Sequence, residues 1–241
     1  MKAVILAAGK GTRMRGLAAD RPKHMLEVGK RRLLEHVVLA IARGGVREFV
    51  VVTGHFANLI EEHFGDGARL GLRFRYVRQE RQDGTGSAAH LAREEIGEEP
   101  FLLALGDILV SPENYPELIG SFEESPCDAL LSLVRVDDPW RGAAVYVEAG
   151  MRVTEIVEKP PQGASATPWN NAGLFIFAPA LFRYTAGLTL SPRGEYELTS
   201  AIAAMIADGR QVRGFPLRGF WGDMGTPEDL GRFEALLAER G

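Results

Sequence analysis

Residues 3–8, Ala-Val-Ile-Leu-Ala-Ala, form an uninterrupted apolar run closed by Gly9 and Gly11. A strand with one wet face would alternate apolar and polar residues. Lys2–Ala7 therefore reads as a strand buried on both faces, the kind found in parallel sheets covered by helices. Such a strand needs parallel neighbours and crossover helices, and the sequence supplies them. Leu33, Val37, Ala40 and Ile41 recur at helical spacing through Leu33–Arg43, and Gly44-Gly45 supplies the stop. Glu48–Thr53 reads as a second buried strand, followed by a helix near Asn58–Phe64 and a strand near Arg73–Val77. Ser87–Ile96 reads as a helix, and Phe101–Leu105 as a third buried strand closed by Gly106-Asp107. This alternation predicts an α/β fold built on a doubly wound parallel sheet with right-handed crossovers.

After Asp128 the rhythm changes. Ala129–Val136, Ala143–Val147, Val153–Val157 and Leu174–Phe177 are strand-like with little helix between them, which predicts a mixed or antiparallel extension of the same sheet. Pro160-Pro161-Gln162-Gly163-Ala164-Ser165 is a loop. Helices return at Glu197–Ala207 and Pro227–Glu239, with Pro in the first turn of the last one. With no internal repeat or low-complexity linker, the expectation is one domain over 1–241. Residues 1–110 would be a nucleotide-binding half, and 111–241 a half that adds strands and closes over it.

The composition, 46% hydrophobic and 25% charged, is that of a folded protein and excludes a disordered chain. No apolar run approaches the ~20 residues of a membrane span. The apolar start is too short for a signal peptide, and Gly9-Lys10-Gly11-Thr12-Arg13 stands where a cleavage site would belong. Cys127 is alone, which excludes a disulfide framework or a zinc site of several thiolates; the His residues at 24, 36, 55, 63 and 90 lack metal-ligand spacing. A net charge of −4 with no basic block argues against nucleic acid as a partner. The expectation is a slightly acidic cytoplasmic enzyme.

The glycine turn after the first strand lies where doubly wound sheets bind ligands, and two glycines let a phosphate or base approach the backbone. A dinucleotide fingerprint would need Gly at 14, where Met14 stands; a Walker A loop would need Gly at 4 and Ser or Thr at 11, where Val4 and Gly11 stand. Arg21-Pro22-Lys23 follows, so Arg13 and Lys23 bracket a loop able to fold over an anion. Against 23 Arg the chain has only 5 Lys, at 2, 10, 23, 30 and 159. A Lys is favoured over Arg where a compact charge must meet one phosphate. Asp107 closes a buried strand at the same sheet edge, where a buried carboxylate calls for a cation such as Mg²⁺, unless it only caps the next segment. Glu158-Lys159-Pro160, Asn171-Ala172-Gly173 and Trp221-Gly222-Asp223-Met224-Gly225-Thr226-Pro227 each read as strand ends beside turns, and each is open to a turn role alone.

In this order the stretches make the chain resemble the sugar-1-phosphate nucleotidylyltransferases, or NDP-sugar pyrophosphorylases, from Lys2 to about Leu237. The most specific part is Leu-Ala-Ala-Gly-Lys-Gly-Thr-Arg-Met at 6–14 with Arg-Pro-Lys at 21–23. The resemblance implies a Rossmann-like mixed sheet, a Mg²⁺ cofactor, and attack of a sugar-1-phosphate oxygen on the α-phosphorus of an NTP. Leu6, Ala8, Gly9, Gly11 and Thr12 would hold the nucleotide, with the glycine amides cradling it. Arg13 would neutralise the β,γ-phosphates and Lys23 would hold the α-phosphate region. Asp107 and Asp223 would bind Mg²⁺, Lys159 the sugar phosphate, and Glu158, Asn171 and the Gly142 backbone the sugar hydroxyls. Gln79, Gly84 and Thr85 belong to a 79–88 segment similar to the base loop of uridylyltransferases acting on glucose-1-phosphate and N-acetylglucosamine-1-phosphate.

UTP is therefore the expected nucleotide. Transfer from dTTP or GTP, or to N-acetylmuramic acid 1-phosphate, stands as the alternative. A non-catalytic sugar-nucleotide-sensing subunit would lack charged residues that this chain keeps at 13, 23, 107, 159 and 223. The pattern has departures: His24 stands where many relatives carry Pro, Gly16-Leu17-Ala18 replaces Pro-Leu-Thr, and Ser200 replaces an Asp beside Glu195 and Glu197. Because the chain stops soon after its last helix, a stand-alone domain without acyl-CoA chemistry is expected. Its partners would be its two substrates, with no nucleic acid and no membrane; a homo-oligomer is left open.

Overall fold

The computed structural model describes residues 1–9, 11, 14 and 20–238. Its strands are β1 (Lys2–Ala7), β2 (Glu27–Val28), β3 (Arg31–Arg32), β4 (Glu48–Thr53), β5 (Arg73–Arg78), β6 (Phe101–Leu105), β7 (Ile108–Val110), β8 (Ala129–Arg135), β9 (Ala143–Val147), β10 (Val153–Glu158), β11 (Trp169–Phe177), β12 (Val212–Pro216) and β13 (Trp221–Asp223). The helices are α1 (Leu33–Arg43), α2 (Ala57–Phe64), α3 (Thr85–Leu91), α4 (Arg93–Ile96), α5 (Asn114–Glu124), α6 (Leu181–Ala186), α7 (Leu198–Ala207) and α8 (Pro227–Ala238). Among the described residues, nine strands form one sheet, with the path β10-β9-β11-β6-β1-β4-β5 and with β8 and β12 joined to it through β11.

β1 is central and parallel to both neighbours, with Val4 opposite Val50 of β4 and Leu103 of β6. Its side chains serve two cores. Ala3, Ile5 and Ala7 pack with α1, α2 and α5, whereas Val4 and Leu6 pack with α3, α6 and α7. This two-sided burial explains why the run is apolar throughout: a polar residue on either face would be desolvated. The second half joins in antiparallel sense, with β11 opposing β6 and β8, and β9 opposing β10. β12 adds a parallel partner to β8 that the sequence pattern does not predict.

Four expectations need correction. The helix predicted over Ser87–Ile96 is two short helices meeting at Ala92, where ψ is −4°. α7 starts at Leu198 because Glu197, expected inside it, is its extended N-cap. The strand predicted at Leu174 begins at Trp169, so Asn171-Ala172-Gly173 lies inside β11 rather than at its end. There the β8 pairing shifts register between Asn171 and Phe175, and Gly173 has φ +78°. Trp221–Asp223 is a strand, not turn chemistry; it pairs with β7. α5 escaped prediction because Pro112 and Pro116 flank its start, yet Pro116 falls in the first turn, where no backbone N–H is needed. No helix of the described residues is long and apolar enough to cross a membrane.

Backbones converge at the carboxyl end of β1. Gly106 N donates to Leu6 O at 2.9 Å, and Gly54, just past β4, lies against Ala8. A Cβ on Gly54 would stand 2.6 Å from the Ala8 carbonyl oxygen and 2.9 Å from its Cα, both backbone atoms that cannot give way cheaply. Gly120, inside α5, faces open space instead. Gly54→Ala should therefore cost about 1–3 kcal/mol, lowering Tm by roughly 3–10 °C. Gly120→Ala should add about 0.5–1 kcal/mol through helix propensity. Thermal unfolding of the two variants beside the parent checks both signs.

Candidate active site

Lys23 opens a single 3₁₀ turn, Lys23–Met25, that follows Pro22. Pro22 fixes the entry, and the turn directs Lys23 into an ion pair with Asp107, which lies between β6 and β7. Both side chains are largely buried, at 13% and 19% exposure. Burial pushes the Asp107 carboxyl up, but the Lys23 charge and hydrogen bond outweigh it and hold the group below its ordinary value. His24, packed against Gly106, is the other neighbour of this pair. Burial pushes it down to about 4, so at neutral pH it carries no charge, and its Nδ1 has no hydrogen-bond partner. Lys23, not His24, is thus the protein's counter-charge to Asp107.

Asp223 reaches the same place through the short β7–β13 ladder. It is paired with Ile108, the residue after Asp107, and Met224 N donates to Asp107 O at 2.9 Å. The ladder is tied onward: Trp221 Nε1 donates to Ala172 O at 2.9 Å, and Gly173 packs on Leu105 and Ile108. The register shift in β11 thus sets Asn171 beside the carboxyl end of β6. Asn171 Oδ1 accepts from Gly173 N at 3.1 Å, which leaves its amide nitrogen for other work.

Asp107, just before β7, and Asp223, at the end of β13, carry carboxylates of the kind that suits a hard divalent cation. Among the described residues no three His, Cys, Asp or Glu side chains gather to hold a metal. That donor set fits Mg²⁺, which keeps waters and substrate phosphates alongside one or two protein carboxylates, better than a metal needing a full protein cage.

β9 and β10 build the opposite wall. Glu158 ends β10 facing Ala143, and Lys159 N donates to Gly142 O at 2.7 Å. Lys159 has φ +41°, an uncommon conformation for a side-chain-bearing residue and a recurrent feature of functional sites. Asn170 fills the space that a Cβ on Gly142 would need. Glu158 accepts from Thr199 Oγ1 at 3.1 Å and from Arg193 at 3.3 Å. Arg193 also bridges Glu195 and Glu197. Sequence reasoning missed Arg193; the only signal was its place four residues before Glu197, with one further acid, Glu195, between them. Burial, then the Glu197 charge, pushes Glu158 above its ordinary value despite these partners.

The segment after β5 forms a third wall. Gln79 is buried, and its amide nitrogen donates to Gly84 O at 3.0 Å and to Ser87 Oγ at 2.8 Å. Gln79 thus braces the 79–88 loop from beneath. Gly84 lies against the Tyr196 backbone, where a Cβ would collide, and Thr85 Oγ1 accepts from Leu198 N at 3.1 Å at the start of α7. Between this segment and the β4–α2 turn is an opening of about 300 Å³ lined by His55, Asn58, Arg78, Gln79 and Gln82.

The structure therefore pairs Lys23 with Asp107, brings the backbones of β13, ending at Asp223, and of the Asn171–Gly173 stretch beside β7, groups Gly142 with Glu158 and Lys159, and groups Gln79 with Gly84 and Thr85. Leu6, in β1, accepts from Gly106 N, Ala8 lies against Gly54, and Gly9 and Gly11 follow in the chain. Thr12 and Arg13 lie outside the described residues.

Comparison with known proteins identifies the family and the fold. Residues 2–240 match the family model for nucleotidyl transferases. The low-salt glycan biosynthesis nucleotidyltransferase Agl11 of Haloferax volcanii is 32% identical over 99% of this chain, which spans 66% of that relative. The UTP–glucose-1-phosphate uridylyltransferase AglF of the same organism is 34% identical over 99% of this chain and 97% of its own length. A UDP-glucose pyrophosphorylase crystallised with UDP-glucose has the same fold, with TM-score 0.91 at 22% identity over 100% of this chain and 99% of that one.

Glu158 generates a pH prediction. A carboxyl whose folded value lies above its ordinary 4.5 weakens the fold above that pH and costs nothing below it. Glu158→Gln should therefore gain in Tm relative to the parent at pH 7.5, and the gain should vanish as pH falls to about 4.5. Paired melting curves across that range read the sign.

Proposed function

The chain belongs to the nucleotidyl transferase family, and from that premise we propose that it transfers a nucleotidyl group from UTP to glucose-1-phosphate or N-acetylglucosamine-1-phosphate, releasing pyrophosphate. The observation behind this reading is the Lys23–Asp107 ion pair at the carboxyl ends of β1 and β6, with β13 carrying Asp223 against β7 and Trp221 tied to Ala172 of β11. UTP is favoured by the Gln79–Ala88 segment and by the uridylyltransferase AglF, which this chain matches almost end to end.

The chemistry is an in-line displacement. An oxygen of the sugar phosphate forms a bond to the α-phosphorus while the bond to the bridging oxygen of the β-phosphate breaks, and pyrophosphate leaves with that electron pair. No covalent enzyme intermediate is required, so the protein's work is positioning and charge neutralisation. Backbone amides of Gly9 and Gly11 cradle the nucleotide with Leu6, Ala8 and Thr12. Gly84 and Thr85 present a main-chain edge to the base over the Gln79 brace. Arg13 neutralises the leaving pyrophosphate and Lys23 the α-phosphate. Lys159 holds the sugar phosphate, and Glu158, Asn171 and the Gly142 backbone read sugar hydroxyls. Asp107 and Asp223 hold Mg²⁺, which when bound supplies a Lewis acid for phosphate oxygens. The halves 1–110 and 111–241 work as one cytoplasmic catalytic unit on its two substrates.

Pyrophosphate release measured across UTP, dTTP, GTP, CTP and ATP against several sugar-1-phosphates, with and without EDTA, tests the reading. One strong UTP combination abolished by EDTA is expected; activity confined to another nucleotide would overturn the base assignment, and a blank grid from folded protein would overturn the reaction. Asp107→Asn should lower kcat by about a hundredfold or more with the fold intact. Lys159→Ala should chiefly raise KM for the sugar phosphate, by roughly tenfold or more; a change confined to the KM for UTP would contradict its role.

A further inference from the structure

Lys23 and Asp107 are assigned to different ligands, one to the α-phosphate and one to the divalent cation, yet in the ligand-free protein they bind each other. The ammonium pairs with Asp107 Oδ2, so a cation arriving on the same carboxylate would meet its like charge. Asp107 is held by the strand ends on either side: Gly106 N donates to Leu6 O, and its own carbonyl accepts from Met224 N. Lys23 is a long, unbranched side chain on a single turn. The Lys ammonium can therefore swing through several rotamers while the carboxylate stays fixed.

On the metal assignment given above, we propose that Lys23 is the internal stand-in for the metal: it neutralises Asp107 in the empty site, competes with the divalent cation for that carboxylate, and is released to the nucleotide only when the cation arrives. The physical reason is the cost of leaving either charge alone. Removing one partner of a buried pair strands the other as an uncompensated charge, so each must be handed to a new partner rather than set free. The α-phosphate takes Lys23 as the cation takes Asp107. Metal and nucleotide then assist each other beyond their direct contact, since each lifts the ion that blocks the other, and this coupling is reciprocal.

The consequence is opposite in sign to what a simple ligand role gives. If Lys23 only bound phosphate, its loss would leave metal binding without nucleotide unchanged. If it stands in for the metal, its loss uncovers Asp107, and the bare protein binds the cation more tightly. Mn²⁺ titrated into nucleotide-free protein at pH 7.5, followed by the EPR signal of the free ion, reads this directly and needs no turnover. Lys23→Met and Lys23→Gln should each bind Mn²⁺ roughly five- to fiftyfold more tightly than the parent, and Lys23→Arg should return the affinity toward the parent value. Should the neutral variants be poorly folded alone, Mn²⁺ should raise their Tm by more than it raises the parent's. In an Asp107→Asn background the effect of Lys23→Met should vanish.

Equal or weaker Mn²⁺ binding by both neutral variants would overturn the exchange while leaving Asp107 as a metal ligand. Unchanged Mn²⁺ affinity in Asp107→Asn itself would remove both the exchange and the metal assignment. Pyrophosphate release tests the transfer reaction separately from either outcome.

Discussion

At the carboxyl end of β1, backbones approach more closely than side chains would permit, and the rest of the site hangs on that approach. Gly54 lies on Ala8, and Gly106 hydrogen-bonds Leu6 O. Glycine is needed because a Cβ at either position would press on main-chain atoms. With β4 and β6 drawn in, the residue after Gly106 is Asp107, held at the carboxyl end of β6 and met there by Lys23. β7 turns away from that point and meets β13, which brings Asp223 back from near the end of the described chain. A few backbone contacts thus connect the turn after residue 8 with residue 223.

The site is built from charges whose stability contribution is poor. A buried ion pair such as Lys23–Asp107 roughly balances its own desolvation, while removing one partner is costly. The pair therefore adds little net stability, but both members must always be satisfied. On the opposite wall the balance is worse: Arg193 serves Glu158, Glu195 and Glu197, and burial still pushes Glu158 upward. A fold selected for stability alone would have apolar side chains in both places. Backbone strain at Lys159 adds to the cost. What offsets it is the two-sided core, where Ala3, Ile5 and Ala7 pack on one face of β1 and Val4 and Leu6 on the other.

Period and apolar content reveal those parts of the fold whose cores are local. Leu33–Arg43 and Glu48–Thr53 were legible to the residue because each has a full apolar face and a glycine or polar stop. α5 was hidden by Pro112 and Pro116, because a composition-based reading penalises Pro without asking which turn it occupies. β7, β12 and β13 have three to five residues each and are defined by distant partners rather than by their own pattern. The motif residues were legible as residues, but their partners were not. Nothing in Arg-Pro-Lys predicts that Lys23 meets Asp107 in the ligand-free protein. Nor does Gln-Glu-Arg-Gln predict that Gln79 turns its amide under its own loop, since both depend on where strands separated by tens of residues end.

Residues before and after 110 meet along the β6–β11 pairing and the β7–β13 ladder, and a further seam has a consequence for specificity. There the 83–86 segment is stitched to the chain before α7: Tyr196 N donates to Asp83 O, Gly86 N donates to Tyr196 O, each at 2.7 Å, and Leu198 N donates to Thr85 Oγ1. Tyr196 lies between Glu195 and Glu197, two of the acids that Arg193 holds beside Glu158. A side chain at Gly84 would have to displace the Tyr196 backbone, and with it the Arg193 cluster. Under the proposed assignment, the loop that meets the base and the segment that fixes Glu158 near the sugar are therefore one mechanical unit. Altering the base edge at this seam cannot leave the sugar side untouched, because two of the hydrogen bonds joining them, Tyr196 N to Asp83 O and Gly86 N to Tyr196 O, are main-chain bonds that no change of side chain removes.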